Sequence, residues 1–382
     1  MTFVAAIRYQ SQVCVIADSA ITSTPRPGQI ALANTDELTT FGQQELHDAS
    51  IQVRESAIKI RRYGNVAMAF SGEVALSREF MDLVARDAQE DGDWAAAFRR
   101  MACSYSPPPP FAVLAALWNP SECTARLLVF NAEQCGTVRD LPTDSVVMLG
   151  SPTELHKRLL LRMSEVSREL APDWRLPCLT VMANLMGVQH DLMSRGIGGA
   201  FCGCSVQESG LTWHPDLTYL LFDERGEHHD LVHSYIRDNN HIVYSTIRKG
   251  FLVLMDGPLT CSFDSWRDQF VRPPGLDGTW PRFVAMLHTT RPCVALIELD
   301  DEGRHPELSL SSEPAVVGTS IRVRIDPKLV ESWLAAGSYS GSELVVGFVW
   351  STRGSNAVHC GKLTADITAP PDRVVFLPHP RL

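Results

Sequence analysis

The sequence predicts a mixed α/β protein of α+β type. Two stacked sheets lie between helix pairs in a four-layer αββα sandwich, and a C-terminal β-rich domain follows. Three observations lead there. The first twenty residues, MTFVAAIRYQSQVCVIADSA, place two short apolar runs on either side of Gln10-Ser11-Gln12, the pattern of a β-hairpin covered on both faces. After the hairpin, the apolar spacing runs in the order strand pair, two helices, strands, two helices, strands. Beyond Asp256 the texture changes to short apolar runs separated by turn residues. At 382 residues two domains are the natural expectation; these shifts place them at 1–256 and 282–382, with 257–281 as a connection rich in Gly, Pro, Trp and Asp.

Phe3 to Ile7 and Val13 to Ala17 are apolar at nearly every position, so the chain start is held inside the fold instead of fraying. A turn centred on Ser11 sets Thr2 opposite Ala20, with Asp18 one step along the same face. Residues 22–57 are polar and carry no strong periodicity. Strand signals resume at Ala57 to Ile60, where Lys59 is the single charge. A lysine in an apolar sheet is costly unless paired, and Asp18 is the expected partner. Val66 to Phe70 continues as a strand into the turn Ser71-Gly72.

Helical spacing covers Glu73 to Glu90 and Trp94 to Cys103, and the prolines from Pro107 to Pro110 end it. Strands are expected at Phe111–Leu117, Ala125–Phe130 and Val146–Leu149. Gly150-Ser151-Pro152 opens a helix with apolar positions at Leu155, Leu159, Leu160 and Met163, and a further helix spans Pro177 to Met193. After Gly198-Gly199 come strands near 200–206, 217–222 and 241–255. The C-terminal domain offers short strands at 283–287, 293–299, 321–325, 344–349 and 374–377, the pattern of a β-sandwich or small barrel. Nothing in it looks catalytic, and it reads as an interaction or assembly module.

Composition removes several function classes. With 45% hydrophobic and 20% charged residues the chain is of ordinary soluble, globular type. No apolar run approaches the ~20 residues that span a bilayer. The apolar start lacks the basic flank of a signal peptide, so a cytoplasmic location is expected. A net charge of −10 argues against a general nucleic-acid binder. The ten cysteines read as reduced core residues. Cys202-Gly203-Cys204 with His228, His229 and His233 lacks the paired ligand spacing of a zinc site, and neither a metal nor another cofactor is expected.

The chemistry gathers at the chain start. Met1 precedes a small residue, the context in which a leading methionine is commonly trimmed. Thr2 would then carry hydroxyl and free amine on one residue, and an α-amine with a pKa of ~7.7–8.0 is a base near neutrality. Asp18 falls sixteen residues after Thr2, within Val15-Ile16-Ala17-Asp18-Ser19, and Lys59-Ile60 precedes the strand ending at Ser71-Gly72. In these motifs the chain resembles the proteasome β-subunit-like family of N-terminal-nucleophile (Ntn) hydrolases. The topology extends that resemblance over roughly the first two thirds of the chain.

The resemblance implies a sandwich of Ntn-hydrolase type with Thr2 as nucleophile and its amine as general base. Lys59 would sit beside the hydroxyl, Asp18 would hold Lys59 charged, the Gly72 backbone N–H would serve the oxyanion, and Ser151 would orient the amine. Ile21, Ala57, Phe70 and Val74 would line an apolar first specificity pocket that disfavours charged side chains. A peptide or protein substrate and a homo-oligomer are implied as well, with no nucleic acid or membrane partner. Residues 22–57 become an insertion beside the site.

One stretch departs from the family pattern. In Ser194-Arg195-Gly196-Ile197-Gly198-Gly199, the family's aspartate is replaced by Ser194 and its serine by Ile197. Three readings follow: a threonine peptidase, a noncatalytic scaffold or binding subunit, and an amidohydrolase acting on a small amide. Turnover of any amide separates the second from the others. A preference for peptides over small amides separates the first from the third.

Overall fold

Strands apolar at every position belong in the middle of a covered sheet, and the hairpin lies there. In this computed structural model the first strands are β1 (Phe3–Arg8) and β2 (Gln12–Ala17), every residue of which is buried. The structure describes residues 2–23, 45–47, 52–55, 57–105, 110–131, 137–150, 153–168, 170–189 and 196–215, and the strands given below between Leu217 and Pro378. Next come β3 (Ala20–Ser23), β4 (Glu45–His47), β5 (Gln52–Glu55), β6 (Ile60–Tyr63) and β7 (Val66–Gly72). Helices α1 (Val74–Asp91) and α2 (Trp94–Cys103) lead to β8 (Phe111–Asn119), β9 (Thr124–Phe130), β10 (Arg139–Leu141) and β11 (Val146–Gly150). Helices α3 (Glu154–Arg168) and α4 (Pro172–Gln189) precede β12 (Cys202–Gln207) and β13 (Gly210–Trp213).

Two antiparallel sheets result, ordered β11-β1-β2-β12-β13 and β10-β9-β8-β7-β6. With the helices they make the protein α+β, the class the sequence predicts. Strands β7, β8 and β9 face β1, β2 and β12 across the sheet interface. α1 covers the outer face of β7 and β8, while α4 covers β2 and β12 and α3 packs on β11. Val66, Met68 and Phe70 alternate along β7 into a core shared with Phe80 and Phe98. Phe80 stacks on Phe130 at 5.4 Å and meets Phe98 edge-on at 5.5 Å. Glu73, expected to begin α1, caps it and accepts from the Leu76 N–H at 2.6 Å.

The hairpin register differs by one residue from the expectation. Tyr9 N–H donates to Gln12 O at 2.7 Å, so the loop is the pair Gln10-Ser11 and not a turn centred on Ser11. Two-residue loops match the twist of the flanking strands, which favours the shorter turn. Val4 therefore faces Ala17, and Asp18 meets Phe3 instead of lying beside Thr2.

α4 begins at Pro172, five residues before the expected Pro177, which lies inside the helix. Both prolines satisfy the same start signal, and Pro172 takes the first-turn position where a missing N–H costs nothing. Asn184, fully buried on α4, donates to Phe201 O at 3.1 Å and accepts from Phe201 N–H at 2.9 Å. The side chain thus ties the segment leading into β12 to the helix. Asn184→Ala is expected to cost about 2–4 kcal/mol, because two buried backbone groups lose their partner. Urea unfolding measures it, and a loss under about 1 kcal/mol would show that Phe201 finds other partners.

The first compact unit is Met1–His214 with Asp238–His241 and Leu254–Pro258, and the second holds Pro215–Arg237, Ile242–Val253 and Leu259–Leu382. The main span of the first unit ends at His214, and its last short stretch includes Asp256. The later strands are β14 (Leu217–Phe222), β15 (His228–Arg237), β16 (His241–Thr246), β17 (Gly250–Met255), β18 (Phe283–His288) and β19 (Cys293–Glu298). They are followed by β20 (Leu308–Ala315), β21 (Glu343–Ser351), β22 (Val358–Asp366) and β23 (Val374–Pro378). β14 pairs in parallel with β18, Leu217 opposite Phe283, which draws residues on both sides of the expected connection into one sheet. That sheet runs β17-β16-β15-β14-β18-β19-β23, and a three-stranded sheet runs β20-β22-β21. The expected strand at 321–325 lies outside the described residues. Among the described residues no helix is long and apolar enough to cross a membrane.

Candidate active site

A buried lysine and a buried aspartate meet where β2 ends. Asp18 is fully buried and Lys59 is 2% exposed. Lys59 Nζ donates to Asp18 Oδ1 at 2.5 Å, the pairing expected of the two charges. The carboxylate also accepts from Phe3 N–H at 2.9 Å and, through Oδ2, from Gly198 N–H at 3.1 Å. Those donors favour the ionised form. Burial pushes the other way. It lowers the Lys59 pKa and raises that of Asp18, with each partner's charge opposing the shift. The backbone around the pair is pinned: Ala57 N–H donates to Ser19 O at 3.2 Å, and Phe70 N–H to Lys59 O at 3.1 Å.

Thr2 immediately precedes β1 and is 8% exposed. Gly150, opposite Phe3 at the end of β11, closes in behind it. At φ +104° a Cβ on Gly150 would lie 1.8 Å from Thr2 O, so only glycine allows this approach. Gly72 has φ +96°, and a Cβ there would meet Pro110 O at 2.4 Å. Both glycines sit at strand ends where the chain turns sharply.

Thr2, Lys59, Gly72 and Gly150 line one cavity of about 990 Å³, a size suited to a small or peptide-like ligand. Ile21, Phe70 and Val74 of the expected pocket line it too. Ala57 does not; it is buried in the short stretch before β6 that also carries Lys59. Asp18 lies beneath the cavity and reaches it through Lys59. Ser151 and Ser194 lie outside the described residues. Ile197 is fully buried and offers no hydroxyl.

Other residues of the site carry no local sequence signal for their place in it. Gly198 comes within reach of Asp18 because it lies against the chain that follows β2, with the Ser19 and Ala20 N–H groups donating to its carbonyl. Asn131, Arg139 and Lys157 enter the cavity wall from the end of β9, from β10 and from α3. Among the described residues no group of His, Cys, Asp and Glu could hold a metal ion. Cys202, near Asp18, is a buried thiol whose pKa is pushed up to about 12 by burial, which leaves it a core residue and not a nucleophile.

No family model matches the sequence, and no curated protein matches it. Among solved structures, the chain is similar to eukaryotic HslV from Trypanosoma brucei. The TM-score is 0.34 at 13% identity, over 54% of this chain and 99% of that one.

Proposed function

We propose that the protein is an N-terminal-threonine amide or peptide hydrolase of the Ntn type, with Thr2 as nucleophile once Met1 is removed. The observation that carries this reading is the meeting of Thr2, Lys59 and Gly72 on one cavity, with Lys59 anchored from below by a fully buried Asp18. A buried ion pair is weak evidence of stability, since apolar residues would serve the core as well. Sharing a cavity with Thr2 gives it a chemical use in this reading.

In the proposed reaction the free Thr2 amine takes the hydroxyl proton and Oγ attacks the substrate carbonyl. The Lys59 charge favours the alkoxide-like oxygen, and the Gly72 N–H donates to the developing oxyanion. The amine returns the proton to the leaving nitrogen, which departs and leaves an ester on Thr2 for water to cleave. Ser151 is proposed to orient the amine. Ile21, Phe70 and Val74 are proposed to receive an apolar side chain, in a homo-oligomer acting on peptides in the cytoplasm.

A second reading, a noncatalytic subunit of the same architecture, is favoured by Ile197, a buried apolar residue where the resembled family carries a serine. Intact mass and amide turnover decide between them. The expected result is a mass lacking Met1 and a turnover that falls on the order of 10⁴-fold or more in Thr2→Ala. A uniformly retained Met1 leaves no threonine amine and removes the catalytic reading. So does activity that survives in Thr2→Ala.

A further inference from the structure

We infer that the cavity beside Thr2 recognises a carboxylate on its ligand, held by Arg139 with help from Lys157. Among the described residues that line the cavity, the charged ones are Lys59, Arg139 and Lys157, all cationic. Lys59 is already answered by Asp18. Lys157 donates to Glu154 at 2.6 Å, but the two are 51% and 74% exposed, and such pairs exchange partners at little cost. Arg139 makes no ion pair with the described residues. The adjacent Asp140 is engaged instead by Arg8, Arg99 and Arg126.

The surroundings match an anionic ligand. Arg139 faces Val129 across the β9–β10 ladder, so Asn131, two residues on, falls on the same face. Asn131 Oδ1 is buried without a hydrogen-bond partner and also lines the cavity. A ligand carrying both carboxylate and amide satisfies both groups at once: its carboxylate accepts from the Arg139 fork, and its N–H donates to Asn131. Guanidinium and carboxylate pair in two parallel hydrogen bonds, which gives direction as well as attraction. Cations gathered in a cleft also concentrate anions against the repulsion of a chain whose net charge is −10. The sequence-based pocket of Ile21, Ala57, Phe70 and Val74 gave no reason to accept an acid, because the cations enter from β10 and α3.

The carboxylate has two possible sources, an acidic side chain or a free chain terminus. The inference rests on the hydrolase reading for the identity of the cavity as a substrate site, so binding is measured in Thr2→Ala, where turnover plays no part. Calorimetric titration compares acetyl-Ala-Ala-Glu amide with its Gln counterpart, and acetyl-Ala-Ala-Ala with its C-terminal amide. At least one acidic probe is expected to bind tenfold or more tightly than its neutral partner, and the pair that discriminates identifies the source. Arg139→Gln in the same background is expected to remove that preference. Equal affinity within both pairs, no measurable binding of either acidic probe, or a preference that survives Arg139→Gln combined with Lys157→Gln overturns the inference. Turnover by the wild type without acid preference leaves the hydrolase standing and removes only carboxylate recognition; acid preference without turnover does the reverse.

Discussion

Replacing Lys59 with alanine is expected to abolish amide turnover and to cost about 3–5 kcal/mol of stability. Lys59 is 2% exposed and donates to a fully buried carboxylate at 2.5 Å, so its removal strands Asp18 with only the Phe3 and Gly198 N–H groups. Stability and chemistry separate in a double variant. Asp18→Asn with Lys59→Met removes both charges at nearly constant volume, and is expected to regain most of the lost stability while turnover stays absent. Melting and turnover measured on all three proteins decide the matter. Normal turnover in a folded Lys59→Ala protein would leave the lysine no chemical role. The wild-type pH profile is a further readout. Burial lowers the Lys59 pKa from the ordinary 10.5, so the proton leaves earlier as pH rises, and the alkaline limb of kcat/KM is expected below that pH. An alkaline limb at or above 10.5 would mean that another group controls it.

Gly150→Ala is expected to destabilise by about 3 kcal/mol or more and to remove turnover at the same time. Its added methyl would lie 1.8 Å from Thr2 O and 2.7 Å from Thr2 C, backbone atoms that cannot swing aside as a side chain would. Either β11 parts from β1 or Thr2 moves out of the cavity, and both displace the proposed nucleophile. Gly64→Ala is the control. Gly64 also has a positive φ, +62°, but nothing lies within 4 Å of its Cβ position. It carries only the conformational cost of roughly 1–2 kcal/mol and is expected to keep full turnover. Equal melting temperatures for the two variants would show that the close approach of Gly150 to Thr2 is absent in solution.

Much of the first unit was legible because its signals are local. Apolar runs at every position marked β1 and β2 as buried strands, and the spacing in Glu73 to Glu90 and Trp94 to Cys103 marked two helices. Lys59, the one charge in an apolar run, asked for an opposite charge, and Asp18 was the buried candidate. Where two local signals competed, the reading slipped. A hairpin loop of two residues or three was one case, and Pro172 or Pro177 as the start of α4 was another.

By itself, then, the amino-acid order determined the strongly patterned elements, such as β1, β2, β7, α1 and α2, and which charge must be paired. These follow from spacing and burial energetics within a dozen residues. Strands such as β4, β5 and β15 left no such pattern. Only the tertiary structure decided what meets across long stretches of chain. The parallel pairing of β14 with β18 joined segments on both sides of residues 257–281, because strand pairing depends on register between segments and not on the pattern inside either one. Gly198 reached Asp18 from 180 positions away. Arg139, Asn131 and Lys157 became walls of one cavity although each, read in place, is an ordinary polar residue near a strand end or on an exposed helix face. A side chain's environment is set by whichever segments pack around it, and for these residues every such segment is remote in sequence.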